Sequence, residues 1–157
     1  MNAVELSRVT KRFGGAAAID AVNFTARAGE IHALLGESGA GKSTLMGVLA
    51  GMLQPEAGVI YVKGNRALLR SPGDALERGV GMLRRQSALI DSLTAAENAL
   101  LSQRQSKQAA AKRIAELGTR YGLAVDPNAP AWRLAAGERQ RAELLILLAR
   151  GARVLVF

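Results

Sequence analysis

Three observations predict an α/β fold for this chain. Its first third alternates apolar and polar residues in short runs bounded by glycine, as half-buried strands do. A compact apolar run then leads through a glycine-rich loop into a helical pattern. The second half is alanine-rich and basic, with apolar residues at helical spacing.

Taken in order, Val4-Glu5-Leu6-Ser7-Arg8-Val9 reads as a strand, Gly14-Gly15 as a turn, and residues 21–26 as a second strand. Ala28-Gly29-Glu30 is a further turn, and Ile31-His32-Ala33-Leu34-Leu35 is expected to be a short buried strand. Residues 42–53 form a predicted helix carrying Leu45, Met46, Leu49 and Leu53 on one side, closed by Pro55 and Gly58. Val59-Ile60-Tyr61-Val62 is another strand. From 94 to 121 the pattern is helical, with Ala96, Leu100, Ile114 and Leu117 available for packing and a solvated polar stretch over 103–113. Two prolines make Asp126-Pro127-Asn128-Ala129-Pro130 a loop. Residues 138–150 are a second apolar helix, and 153–157 begin a buried strand. His32, the sole histidine, is expected to pack or bond locally.

With 157 residues, 49% hydrophobic and 22% charged, the chain has the size and composition of one globular domain. The absence of cysteine excludes a disulfide framework and a thiolate metal site. Residues 1–8 lack the apolar core of a signal peptide, and the longest apolar run, 144–149, is too short to cross a bilayer. A cytoplasmic protein is expected, with peripheral attachment to membrane proteins left open. The net charge of +8 lies beyond residue 60, where sixteen Lys/Arg face eight Asp/Glu. That half reads as a solvated, arginine-rich helical surface, and its lack of interleaved aromatics argues against single-stranded nucleic acid as a partner.

The chemistry is concentrated in Gly36-Glu37-Ser38-Gly39-Ala40-Gly41-Lys42-Ser43, followed by Thr44, which fits the phosphate-loop pattern. Glycines admit positive φ and close backbone approach, so successive N–H groups can turn inward around an anion. The helix opening at Lys42 aims its positive dipole end at the same place. Lys42 would add a full charge at the β- and γ-phosphates of ATP, and the Ser43 hydroxyl would ligate Mg²⁺. A chance match arises in roughly one chain in a hundred at this glycine content, and the strand-loop-helix context makes chance rarer still.

A second segment narrows the class. Leu134-Ala135-Ala136-Gly137-Glu138-Arg139-Gln140-Arg141 resembles the signature motif of ATP-binding cassette (ABC) proteins, Leu-Ser-Gly-Gly-Gln-x-Gln-Arg. Leu134 lies 98 residues after Gly36, a spacing similar to that of ABC transporter ATPases. The resemblance implies a P-loop ATPase of the ABC type, with an N-terminal antiparallel β part and an α-helical subdomain. In that reading residues 1–86 and 138–157 form the nucleotide-binding core, and 87–137 the Q-loop and helical subdomain. Gln86 stands where the family has its Q-loop glutamine, which reaches Mg²⁺ and the attacking water. Phe13, 23 residues before Gly36, stands where an aromatic stacks on adenine, and a core phenylalanine is the competing reading. Residues 134–138 would serve the γ-phosphate of a nucleotide held by a second ABC domain in a head-to-tail dimer.

The family pattern is not met everywhere. Ala135 replaces the serine that contacts γ-phosphate, removing a hydrogen bond typically worth about 1.5–3 kcal/mol to a charged group, and Ala136 replaces the first glycine. Val154-Leu155-Val156-Phe157 resembles the start of Walker B, but the Asp and Glu that should follow, the D-loop and the switch histidine are not in the 157 residues. An N-terminal fragment that binds nucleotide better than it hydrolyses it is therefore expected.

Glu30-Ile31-His32-Ala33-Leu34-Leu35-Gly36, Leu93-Thr94-Ala95-Ala96-Glu97-Asn98 and Gly137-Glu138-Arg139-Gln140-Arg141 are most similar to bacterial importers of nucleosides and simple sugars. The resemblance implies a peripheral protein on the cytoplasmic face of the inner membrane. Its partners would be permease subunits, with a solute-binding protein engaged indirectly, and residues 87–101 would press on the permease. The alternatives are a soluble ABC protein acting on ribosomes or DNA and a non-hydrolysing nucleotide binder.

Overall fold

The computed structural model describes residues 1–84, 86–101 and 105–157, which divide into two compact units. The first comprises residues 1–81 with Val156; the second comprises 82–155 with Phe157. The line between them falls within β5 (Val80–Met82) and β6 (Val154–Val156), which form a two-stranded sheet.

The first unit is built on an antiparallel sheet of order β2-β1-β3-β4, comprising β1 (Asn2–Phe13), β2 (Ala16–Arg27), β3 (Ala57–Val62) and β4 (Asn65–Ala67). Val4 and Leu6 are buried, and strict alternation would next bury Arg8. The register instead shifts between Leu6 and Val9, and Arg8 sits at φ 50° with its N–H donated to the Asn23 side-chain oxygen at 2.9 Å. This bulge returns Val9, fully buried, to the inward face and turns Arg8 out. Helix α1 (Lys42–Leu49) buries Leu45, Val48 and Leu49.

Helix α1 is shorter than the predicted 42–53. Gly51, at φ 70°, carries the chain out of the helix, its N–H bonding Val48 O while Met52 N–H bonds Gly47 O. Those two bonds form a glycine-terminated Schellman motif, which stops the helix before Leu53. Helix α2 (Pro72–Glu77), capped by the Ser71 hydroxyl accepting from Asp74 N–H, was not anticipated, nor was β4. The Ser-Pro pair was its available signal.

Residues 31–35 do not form the expected buried strand. Ile31 is fully exposed and Leu35 is 87% exposed, and no strand among the described residues pairs with them. Apolar composition favours burial, but a strand exists only where another backbone completes its ladder. The local expectation for His32 holds: its ring meets Phe24 edge-on with centroids 5.2 Å apart.

The second unit packs α3 (Ala95–Leu100), α4 (Lys107–Tyr121) and α5 (Ala136–Ala149) around Ala96, Ala99, Ile114, Leu117, Leu145 and Ile146. The expected helical span 94–121 is thus two helices; of the polar stretch 103–113, residues 103 and 104 lie outside the described ones. Helix α5 starts at Ala136 rather than Glu138 and packs with α3 and α4, whereas the sequence reading groups 138–157 with 1–86. No helix among the described residues is long and apolar enough to cross a membrane.

Candidate functional site

Residues 36–40 are exposed, and α1 begins directly behind them. Gly39 (φ 85°) and Gly41 (φ 83°) take left-handed conformations that carry the chain around the loop and into the helix. At Gly41 a second constraint applies: a Cβ there would lie 2.5 Å from Ala18 O and 2.6 Å from Ile19 Cγ2. The loop therefore seats against β2 at a point where no side chain fits. Lys42 Nζ curls back to donate to Gly36 O at 2.7 Å and Glu37 O at 2.6 Å, so its charge lies over the loop and is neutralised by carbonyl dipoles rather than a carboxylate. An exposed loop, a helix N-terminus and an ammonium held by neutral acceptors fit a phosphate chain, for which Nζ can exchange partners. Ser43 is exposed in the first turn, as a metal-ligating hydroxyl must be, and Thr44 is half-buried beside it.

Phe13 ends β1 and pairs with Ala16, on the same hairpin whose Ala18 and Ile19 abut Gly41. Its ring is 51% exposed, with Lys11 Nζ 5.5 Å from the ring centroid. It is not a core side chain.

The other sequence-derived candidates lie in the second unit. Gln86 is exposed. Leu134 is buried and anchors the signature segment, while Ala135, Ala136 and Gly137 are exposed around the N-terminus of α5. Ala135 is the N-cap, and Glu138 reaches back to accept its N–H at 2.9 Å. This is one half of a capping box; alanine has no hydroxyl to return the other bond. The loop before the helix is pinned by Ala131 N–H to Leu93 O at 2.9 Å, and the Arg139 guanidinium meets Asp91 at 2.6 Å.

Sequence reasoning missed two buried polar residues of this unit. Asn98, 4% exposed, accepts from Ile90 N–H at 2.8 Å and donates to the carbonyls of Ile90, Leu93 and Thr94. Glu143, 9% exposed, accepts from the Ser87 hydroxyl and from Ala88 N–H, both at 2.6 Å. The available signal for Glu143 was a carboxylate inside the run Ala142-Glu143-Leu144-Leu145-Ile146, since a buried charge requires partners.

A glycine-lined loop opening a helix, with its lysine folded over the mouth, defines a phosphate-loop nucleotide-binding protein. Comparison with known proteins narrows the class. Residues 19–157 match the family described as ABC transporter. A nucleoside import ATP-binding protein of Lactococcus lactis is 44% identical over 98% of this chain and 32% of its own length. A ribose import ATP-binding protein of Chelativorans is 41% identical over 98% of this chain and 31% of its own. An ATP-binding cassette solved as a dimer bound to ADP and Pi superposes with TM-score 0.76 at 26% identity, over 97% of this chain and 72% of that one. The chain belongs to the ABC transporter family. It spans about a third of the length of these curated relatives.

Proposed function

We propose that this chain is the ATP-binding, energy-coupling part of an ABC importer of nucleosides or simple sugars. The observation that carries the reading is the loop 36–43: exposed over residues 36–40, shaped by left-handed glycines, and holding Lys42 Nζ on its own carbonyls. The importer assignment is supported by relatives named for nucleoside and ribose import.

In this reading the backbone N–H groups of residues 39–43 and Lys42 bind the β- and γ-phosphates, while Phe13 stacks on adenine. Ser43 would hold Mg²⁺, which when bound supplies charge neutralisation for phosphoryl transfer, and the family resemblance makes Gln86 a ligand of metal and water. Residues 134–138 present a helix N-terminus to the nucleotide of a second ABC domain; the dimeric cassette bound to ADP and Pi supports such pairing. With no hydroxyl at Ala135, that surface depends on backbone N–H groups and the helix dipole. Leu83, Ala88, Leu89, Ile146 and Leu147 line an open cavity of about 150 Å³ whose walls also carry Arg84, Asn98, Glu143 and Arg150. A space of that size would take one apolar side chain from a permease subunit at the cytoplasmic face of the membrane.

The test is Lys42→Ala. Calorimetry with MgATP should show saturable binding to the chain and none to the variant, and cells carrying the substitution should lose uptake of labelled nucleoside or ribose. Intact binding by the variant would overturn the site, and unchanged uptake of both solutes the importer assignment.

A further inference from the structure

Glu143 is a buried carboxylate for which nucleotide binding has no direct use. It projects from the second turn of α5, the helix whose first turn carries residues 136–138. Its two short bonds go to Ser87 and Ala88, the two residues that follow Gln86. A mostly buried carboxylate that accepts two short hydrogen bonds is a strong tether, because releasing them leaves its charge without those partners. The rest of the segment is secured to the same unit by other means. Asn98 holds Ile90, Leu93 and Thr94, and Arg139 of α5 holds Asp91. Gln86 itself is exposed and starts the segment that these contacts fix. Glu143 is the tether nearest to it.

We propose that Glu143 is a positioning residue for Gln86, clamping the backbone after the glutamine to the helix that begins at the signature segment. Where Gln86 can reach is then set by α5, and residues 86 and 136–138 move as one body. The inference rests on the reading of Gln86 as a Mg²⁺ and water ligand.

The experiment measures Mg²⁺ affinity of the ATP-bound chain, with ATP binding in EDTA and amide exchange at Ala88 as companions. Glu143→Ala should speed exchange at Ala88, leave metal-free ATP binding unchanged, and weaken Mg²⁺ about tenfold or more, as loss of a residue that orients a metal ligand does. Gln86→Ala should show the same metal defect, and the double variant should be no worse than either. Glu143→Gln, whose amide oxygen can accept both bonds, should restore Mg²⁺ affinity. If Glu143→Ala does not fold, Ser87→Ala, which removes one of the two donors from an exposed position, should give a partial defect of the same kind. Fast exchange at Ala88 with unaltered Mg²⁺ affinity would overturn the positioning role. An unaltered Mg²⁺ affinity in Gln86→Ala would instead overturn the reading of Gln86, and the inference with it.

Discussion

At the scale of single residues, two side chains invite direct tests. Phe13 stands half-exposed on the hairpin that supports the phosphate loop, with a lysine over its ring. An aromatic pair is worth about 0.5–1.5 kcal/mol beyond its buried area. Phe13→Ala should therefore weaken ATP binding several-fold and leave inorganic triphosphate binding unchanged; equal loss of both would assign Phe13 to the fold. Ala135 caps α5 with half a capping box, Glu138 bonding its N–H without a return bond. Ala135→Ser should complete the box and stabilise the chain by about 1 kcal/mol. An unchanged midpoint in urea denaturation would show that a serine there cannot reach the N3 amide.

Among the elements, α3 is the most completely capped. Thr94 Oγ1 accepts from Glu97 N–H at 3.1 Å, Glu97 accepts from Thr94 N–H at 2.8 Å, and Lys107 Nζ meets Glu97 at 2.7 Å. Lys107 first, then the Thr94 amide and hydroxyl, lower the Glu97 pKa from 4.5 to about 2. Because the folded-state value is the lower one, the stabilisation is complete above pH 4.5 and is lost as pH falls from there towards 2. Thermal melts should accordingly show Glu97→Gln costing stability near neutral pH, with the difference from wild type shrinking as the pH falls from 4.5 towards 2. A difference independent of pH would remove Glu97 from the acid response. Solvent screening keeps the effect modest at this partly exposed position.

Over the whole molecule, charge is the property most open to misreading. Residues 1–60 balance five Lys/Arg against five Asp/Glu, and the excess lies entirely beyond them. Such a surface attracts any polyanion at low ionic strength without recognising one. Fluorescence anisotropy with a labelled RNA should show association at about 20 mM salt that vanishes near 150 mM, where exposed charges are screened beyond about 8 Å. Saturable binding at the higher salt would favour an ABC protein acting on ribosomes or DNA over the importer reading.

Residue type and spacing by themselves pointed to the phosphate loop, the β-rich beginning and the helical second half, while the signature segment came from the family resemblance. Each of these is a local code: glycines that permit a turn, a lysine opening a helix, apolar residues at a fixed period. Long-range partners decided the rest. The run 31–35 has the composition of a buried strand, yet Ile31 and Leu35 lie exposed, since no strand among the described residues completes its ladder. The alternation read over residues 4–9 breaks at Arg8, where a bulge whose N–H donates to the Asn23 side chain on the neighbouring strand turns Val9 inward. Glu143, a carboxylate in an apolar helix, has its partners only because the fold brings Ser87 and Ala88 to it across more than 50 residues of chain. A short-range pattern is written in the residues that form it, whereas a buried carboxylate or an unpaired strand takes its meaning from groups that only folding brings near.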